Sequence, residues 1–152
     1  MVGTRLRRMQ IDGRAFAWRA EIRYVRGSAD DHRCIRVRCW GAGKTSQALE
    51  ADLLSLTWPA PCGTCSIDGV WATDDAHPTP RDIRALIDYA LDHGWQPELT
   101  GGTFPLSERT HARFCLPAFV LTDRLRTPES EDPSARVIRA YEARLRREKP
   151  AT

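Results

Sequence analysis

Two neighbouring segments with matching charge patterns are predicted to form a hairpin. Residues 35–39 alternate apolar with arginine side chains, and residues 49–53 alternate apolar with acidic ones. If the chain folds back about position 44, arginines lie opposite carboxylates on one face and apolar residues lie opposite one another on the other. The predicted pairs are Arg38–Glu50 and Arg36–Asp52 on the charged face, and Cys39–Leu49, Val37–Ala51 and Ile35–Leu53 on the apolar face. Because a slip by one residue would move every side chain to the wrong face, this register is strongly specified.

The loop of this hairpin resembles the end of a phosphate-binding P-loop, because it contains Gly43-Lys44-Thr45. The full motif requires a glycine five positions before Gly43, and that position is Arg38. The strand of a P-loop is usually buried on both faces, whereas this one alternates apolar and charged residues. Residues 41–46 are therefore predicted to form a hairpin loop and not a nucleotide site.

Four further segments have strand character. Residues 16–24 alternate apolar and polar side chains with a period of two, and an Asp12-Gly13 turn joins them to residues 5–11. Residues 103–106 and 112–121 are apolar but each contains a proline. Since proline cannot donate to a ladder, the first is predicted to be an edge strand and the second an edge strand or an extended packing segment.

Residues 80–93 carry the signals of a helix at both ends. Thr79 is a suitable N-cap, Pro80 occupies the first helical position, and Asp82 lies three residues after the cap. Gly94 follows the last turn, where it can adopt the left-handed conformation that stops a helix. The apolar stripe at helical spacing consists of Ile83, Leu86, Ile87, Ala90 and Leu91.

These elements predict an α+β fold, an antiparallel sheet of four to five strands with one helix packed on one face and a C-terminal helix. Residues 1–122 are assigned to a single domain, and residues 123–152 to a linker and the basic C-terminal helix. The strand residues expected to meet the first helix are Met9, Phe16, Trp18, Ile22, Ile35, Val37, Leu49 and Leu53. The opposite face is expected to be solvated and to carry Arg19, Arg23, Arg36 and Arg38.

The C-terminal helix is predicted to begin at Asp132-Pro133. Its apolar stripe is narrow, consisting of Val137, Ile138, Tyr141 and Leu145, and arginines occupy its other faces. Three alternatives remain open for such a helix. It docks on the acidic residues of the segment 69–92, it binds a phosphate backbone, or it stays solvated.

The net charge of +3 conceals a strong segregation of charge along the chain. Residues 1–40 contain ten arginines against four acids, a net charge of +6. Residues 47–108 contain two arginines against ten acids, a net charge of −8, and residues 134–149 contain six basic residues against two acids, a net charge of +4. Because the opposite signs lie in one domain, the blocks are predicted to neutralise each other across the fold.

Composition favours a cytoplasmic protein without a membrane partner. No stretch approaches the roughly 20 apolar residues that a membrane helix needs, and no apolar core follows the charges at the N-terminus as in a secretion signal. The chain has five cysteines, an odd number, which favours free thiols and a reducing compartment.

Three segments resemble a known group of proteins: Asp12-Gly13-Arg14-Ala15-Phe16-Ala17-Trp18, Ala90-Leu91-Asp92-His93-Gly94-Trp95-Gln96-Pro97 and Gly102-Thr103-Phe104. They resemble small bacterial α+β proteins that open with an Asp-Gly hairpin and a Phe-x-Trp strand and contain a helix ending in Gly-Trp-x-Pro. The resemblance covers residues 5–106. It implies an α+β fold and no catalytic activity, since its motifs are a turn, core aromatic residues and a helix stop.

Cys62 and Cys65 are spaced as zinc ligands in a loop rich in proline and glycine. A tetrahedral structural site needs two more ligands. The candidates are Cys34, Cys39, His77 and Cys115, none of which forms a second closely spaced pair. Unliganded loop cysteines are therefore the simpler interpretation, with zinc as the alternative and as the one candidate cofactor.

Other potential catalytic groups have a simpler structural interpretation. Asp88 and Asp92 could hold a metal ion together with Asp74 or Asp75, but carboxylates on the outward face of an amphipathic helix are more often solvated. His93 is expected to be a solvated residue of the last helical turn. No motif typical of a nucleophile surrounds any serine.

The first functional hypothesis is a non-catalytic protein-interaction module of the toxin-neutralising or accessory-subunit type. The residues expected to contact a basic protein partner are Asp74, Asp75, Asp88, Asp92 and Trp71. The first alternative is a nucleic-acid-binding protein that uses Arg36, Arg38, Arg136, Arg139, Arg144 and Arg147. The second alternative is a zinc site at Cys62 and Cys65.

Overall fold

The computed structural model describes residues 6–28, 31–41, 43, 45–56 and 76–148, and the side chains of this set up to residue 143. These residues form six strands and two helices. The strands are β1 (Arg7–Ile11), β2 (Arg14–Arg26), β3 (Asp31–Trp40), β4 (Ala48–Ser55), β5 (Thr103–Pro105) and β6 (Phe119–Leu121). The helices are α1 (Pro80–Asp92) and α2 (Pro133–Glu148). The predicted α+β class is confirmed.

The first four strands form an antiparallel meander in the order β1-β2-β3-β4. Asp12 and Gly13 both have positive φ angles, 51° and 80°, as the tight turn between β1 and β2 requires. The hairpin of β3 and β4 has the register that the charge pattern predicted, with Arg38 opposite Glu50 and Arg36 opposite Asp52. The interpretation of residues 41–46 as a hairpin loop agrees with this pairing.

The other edge of β4 is shared by two short strands. Ala48–Glu50 pair in parallel with β5, and Leu53–Ser55 pair antiparallel with β6. The expectation of four to five antiparallel strands is therefore corrected to a six-stranded mixed sheet. β5 runs parallel to β4 because the chain crosses over through α1 before it pairs.

The helix α1 covers one side of this sheet, here called the α1 face. Both partners of its capping box are present: Thr79 Oγ1 accepts from the Asp82 amide at 3.2 Å, and Asp82 accepts from the Thr79 amide at 2.9 Å. Gly94 has a φ of 111° and ends the helix as predicted. The stripe of α1 packs on a core that includes Phe16, Trp18, Ile35, Val37, Leu49, Leu53 and Trp95. Of the predicted core residues, Met9 and Leu91 are only partly buried.

The other side of the sheet, which carries Arg19, Arg23, Arg36 and Arg38, is here called the arginine face. Contrary to the expectation of a solvated surface, it is covered where β4 lies. Val137 of α2 is fully buried against Leu54, Cys34 and Val25. α2 thus lies on the face opposite α1 and not on the described part, 76–92, of the acidic segment.

The first turn of α2 is tied to the loop between β2 and β3. Asp132 accepts hydrogen bonds from the amide of Ser28 at 2.9 Å and from its hydroxyl, which holds the pKa of Asp132 below its ordinary value. The buried hydroxyl of Ser134 contacts His32 Nε2 at 2.7 Å. A Cβ atom on Gly27 would lie 2.2 Å from that hydroxyl. The predicted start of the helix at Asp132-Pro133 is confirmed.

The prediction that Ile22 belongs to the core is wrong. Its side chain is 50% exposed, and Tyr24 on the same face is 64% exposed. β2 has 13 residues whereas β1 has only five. The register of β1 on β2 ends at Arg7 opposite Trp18, so Ile22 lies beyond the part of the face where the core is assembled.

We expect Val137→Ala to lower the free energy of unfolding by about 2 kcal/mol, because it removes two buried methyl groups from the contact between α2 and the sheet. Ile138→Ala is the matched control, since Ile138 is 41% exposed, and it should cost less than about 0.5 kcal/mol. Urea denaturation of both variants measures the difference. Equal losses would show that α2 is not docked in solution.

Candidate functional site

Asp52 lies at the centre of an ionic network on the arginine face. Its carboxylate is completely buried and accepts two hydrogen bonds from Arg36, from Nε at 2.9 Å and from Nη2 at 3.2 Å. This bidentate contact raises the pKa of the Arg36 guanidinium above its ordinary value. A buried carboxylate without a partner is costly, so Asp52 requires Arg36. The bidentate contact in turn fixes the position of the Arg36 guanidinium.

Glu50 extends the network along β4. It accepts from Arg38 Nε at 2.8 Å and from Arg126 Nε at 3.1 Å. The same Nε of Arg126 lies 3.7 Å from Asp52, and its Nη1 lies 3.8 Å from Asp123. Arg126, which follows β6 in the chain, therefore bridges three carboxylates and holds the segment after β6 against β4.

A second ion pair joins α2 to the connection between β5 and β6. Arg136 Nη1 lies 2.7 Å from Glu108 Oε2, and its Nη2 donates to the carbonyl oxygen of Leu121 at 2.6 Å. Asp123 accepts from the Ser107 hydroxyl at 2.7 Å and from the Glu108 amide at 3.1 Å. An open cleft of about 800 Å³ borders this pair and is lined by both acidic and basic side chains. The contacts give Ser107 a structural role.

The arginines predicted to bind nucleic acid are therefore engaged within the protein wherever their side chains are described. Arg36, Arg38 and Arg136 pair with carboxylates that are almost or completely buried, and Arg139 pairs with Glu131. Arg144 and Arg147 lie in α2, but their side chains are outside the described set. A phosphate would have to displace buried carboxylates to reach the first three arginines.

The outward side of α1 carries charges of both signs. Asp88 is exposed as predicted and lies 3.7 Å from Arg84, which also approaches Asp12 at 3.9 Å. Asp92 is exposed near the end of the helix. Trp71, Asp74 and Asp75, the other predicted partner-binding residues, lie outside the described residues. Two arginines of α1, Arg81 and Arg84, partly offset its three acids, which leaves the helix a net charge of −1.

The predicted zinc ligands Cys62 and Cys65 lie outside the described residues. Of their candidate partners, Cys34 and Cys39 lie on opposite faces of β3 and cannot share a metal ion. Burial raises the pKa of both thiols, whereas Cys115 is exposed. Within the described ranges, no three histidine, cysteine or carboxylate side chains are grouped so as to hold a metal ion.

Two histidines flank Tyr89 on α1. The Tyr89 hydroxyl lies 2.9 Å from His111 Nδ1, and the His93 ring stacks on the Tyr89 ring with centroids 3.8 Å apart. His93 is exposed as predicted, and its Nδ1 donates to the Tyr89 carbonyl oxygen at 2.7 Å. Burial, with a smaller contribution from His93, lowers the pKa of His111.

The feature that sequence reasoning missed is the outer edge of β2, defined here as the side of residues 19–26 that faces away from β3. Among the described residues, no strand pairs with β2 on this side beyond Trp18. Ile22 and Tyr24 are exposed there, while Glu21 and Arg23 are joined at 2.7 Å. The available signal was the length of the strand at 16–24 compared with its short neighbour at 5–11.

Comparison with known proteins gives no match for this chain among family models, curated proteins or solved structures. In the described part of the chain, neither helix has the length and apolar character needed to cross a membrane.

We expect Asp52→Ala to lower the free energy of unfolding by about 3–5 kcal/mol, because it leaves Arg36 without its buried partner. Glu98→Ala is the matched control, since Glu98 is exposed and lies 3.8 Å from Arg14, and should change stability by less than about 0.5 kcal/mol. Chemical denaturation with Asp52→Asn as a milder variant measures the loss. A cost below about 1 kcal/mol for Asp52→Ala would contradict the role assigned to the network.

Protonation of His111 should destabilise the fold, because its pKa in the folded protein lies below the ordinary value of 6.5. The stability that the neutral His111 side chain contributes to the fold is therefore fully present above pH 6.5, and it is lost as the pH falls toward the folded-state pKa. When the pH is lowered from about 7.5 to about 5.5, the melting temperature of His111→Gln should fall less than that of the wild type. Identical losses in thermal unfolding would refute the assignment.

Proposed function

We propose that the protein is a non-catalytic protein-interaction module, and that the outer edge of β2 is its docking strand. A strand edge presents backbone N–H and C=O groups that can pair with an extended segment of another protein. The observation that carries the proposal is the exposure of Ile22 and Tyr24 beside this edge. Alternate side chains of a docked segment would pack beside these two residues.

The surroundings of the edge support this choice. The equivalent apolar positions at the other end of the α1 face, Phe16 and Trp18, are almost completely buried. Ile22 and Tyr24 belong to the same strand and point to the same side. They are thus exposed where β2 extends beyond the start of β1. One docked strand could pair with the backbone N–H and C=O groups of this edge and cover both side chains.

The acidic side of α1 is a second possible contact for a partner, as the sequence indicates. Since Arg84 lies beside Asp88, any steering of a basic partner by Asp88 and Asp92 would be weak. Asp74 and Asp75 could add to it.

The two alternatives remain hypotheses with direct tests. Nucleic-acid binding would depend on Arg144 and Arg147, because the other candidate arginines are paired, and retention on heparin by the Arg144→Ala/Arg147→Ala variant tests it. Zinc binding at Cys62 and Cys65 is tested by elemental analysis of the purified protein and of its Cys62→Ser/Cys65→Ser variant. We expect that variant to have the same zinc content as the wild type.

A photo-reactive amino acid at position 22, introduced into the full chain in its native host, should form cross-links to protein when the cells are irradiated. The same group at position 99 is the matched control, because Leu99 is 46% exposed and lies beside the residue before β4, where its carbonyl oxygen accepts from the Gln47 amide, and not on the outer edge of β2. Mass spectrometry identifies the cross-linked chains. We expect cross-linked products from position 22 at several times the yield from position 99.

Equal yields from positions 22 and 99 would overturn the docking strand. The Asp88→Arg/Asp92→Arg variant then separates the two surfaces. Unchanged cross-linking at position 22 in this variant supports the β2 edge alone, whereas loss of cross-linking there assigns the contact to α1.

A further inference from the structure

We propose that the partner of the outer edge of β2 is a second copy of the same chain, paired antiparallel about a two-fold axis through Ile22. This inference rests on the proposed function, since it names the occupant of the same edge. A symmetric contact of this kind joins the same patch on both subunits. The two sheets would become one continuous sheet.

The described length of the outer edge restricts the position of the axis to two residues. Among the described residues, positions 19–26 of β2 have no neighbouring strand on the outer side. An axis perpendicular to the sheet keeps the α1 faces of both copies on the same side, which requires that each residue pairs with one of the same parity. Without displacing β1, pairing about Ile22 (19–25) or about Arg23 (20–26) uses seven of these eight positions, more than pairing about any other residue.

The charges favour this register over its neighbours. Pairing about Ile22 places Glu21 of each copy opposite Arg23 of the other, so that two opposite-charge pairs form. Pairing about Glu21 would instead set two glutamates against each other and Arg19 against Arg23. Pairing about Arg23 would set two arginines against each other. Only the Ile22 register of these three contains no like-charge pair.

The apolar residues are also complementary in the Ile22 register. On the α1 face, Ile22 meets Ile22 of the other copy, and Tyr24 lies opposite the small side chain of Ala20. A large residue thus faces a small one on each side of the central pair. Both exposed apolar side chains of the edge would be partly covered, which removes apolar surface from water.

Cysteine cross-linking tests the contact directly. In the full chain with Cys62, Cys65 and Cys115 replaced by serine, Ile22→Cys places two thiols across the axis. Directly opposed residues have Cβ atoms about 4.5–5.5 Å apart, close to the separation in a disulfide. Mild oxidation should therefore give a covalent dimer as the main product from Ile22→Cys, and several times less from the control Leu99→Cys.

Charge exchange provides the second test. Glu21→Arg and Arg23→Glu each turn both cross-strand pairs into repulsions, whereas the double variant restores them in reverse order. Analytical ultracentrifugation of folded protein should show the dissociation constant raised at least about tenfold in each single variant, and restored in the double variant. Arg81→Glu, a remote exposed charge change on α1, should leave it unchanged.

The outcomes separate this inference from the proposed function. A wild-type protein that stays monomeric at all concentrations overturns the second copy, and cross-links from position 22 to a different protein in the host then still support the docking strand. Cross-links from position 22 only to residues 1–5 of the same chain overturn both proposals. Dimers that persist in both single charge variants overturn the Ile22 register.

Discussion

The burial of two carboxylates on β4 is the constraint on which the rest of the structure depends. All eight residues of β4 are buried, including Glu50 and Asp52. Ionised carboxylates in such a position require charged partners and hydrogen bonds. Arg36 and Arg38 supply them from the neighbouring strand, and Arg126 supplies them from the segment after β6. β4 thus depends on arginines that reach it from two directions.

This requirement organises the C-terminal third of the chain. Arg126 can reach Glu50 only when the chain after β6 lies on the arginine face, and Arg136 then meets Glu108 beside it. With that segment in place, Val137 packs on Leu54. Among the described residues, Glu50, Asp52 and Glu108 of the acidic block thus pair with arginines of the two basic blocks, and the contacts of α2 lie on the opposite face from α1.

The two ends of the sheet differ as a consequence. β4 has neighbours on both edges and cover on both faces, whereas β2 extends beyond β1 and, among the described residues, no strand pairs with its outer edge beside Ile22 and Tyr24. The carboxylates of β4 and their arginines are paired with each other and offer little to an external ligand. The outer edge of β2 is therefore a stronger candidate than this network for contact with other chains. The ionic network at β4 would then stabilise the fold, and the outer edge of β2, on the other side of β3, would contact other chains.

Local chemistry in the sequence determined the hairpin of β3 and β4, the turn at Asp12-Gly13 and both ends of α1, because each depends on residues close together in the chain. The tertiary structure decided the rest of the network and the exposure of Ile22. The contact between Arg126 and Glu50 spans 76 residues, and no periodicity indicates which distant arginine will meet a buried carboxylate. Alternation likewise shows which way Ile22 points, but only the length of the neighbouring strand and the position of α1 decide whether anything covers it.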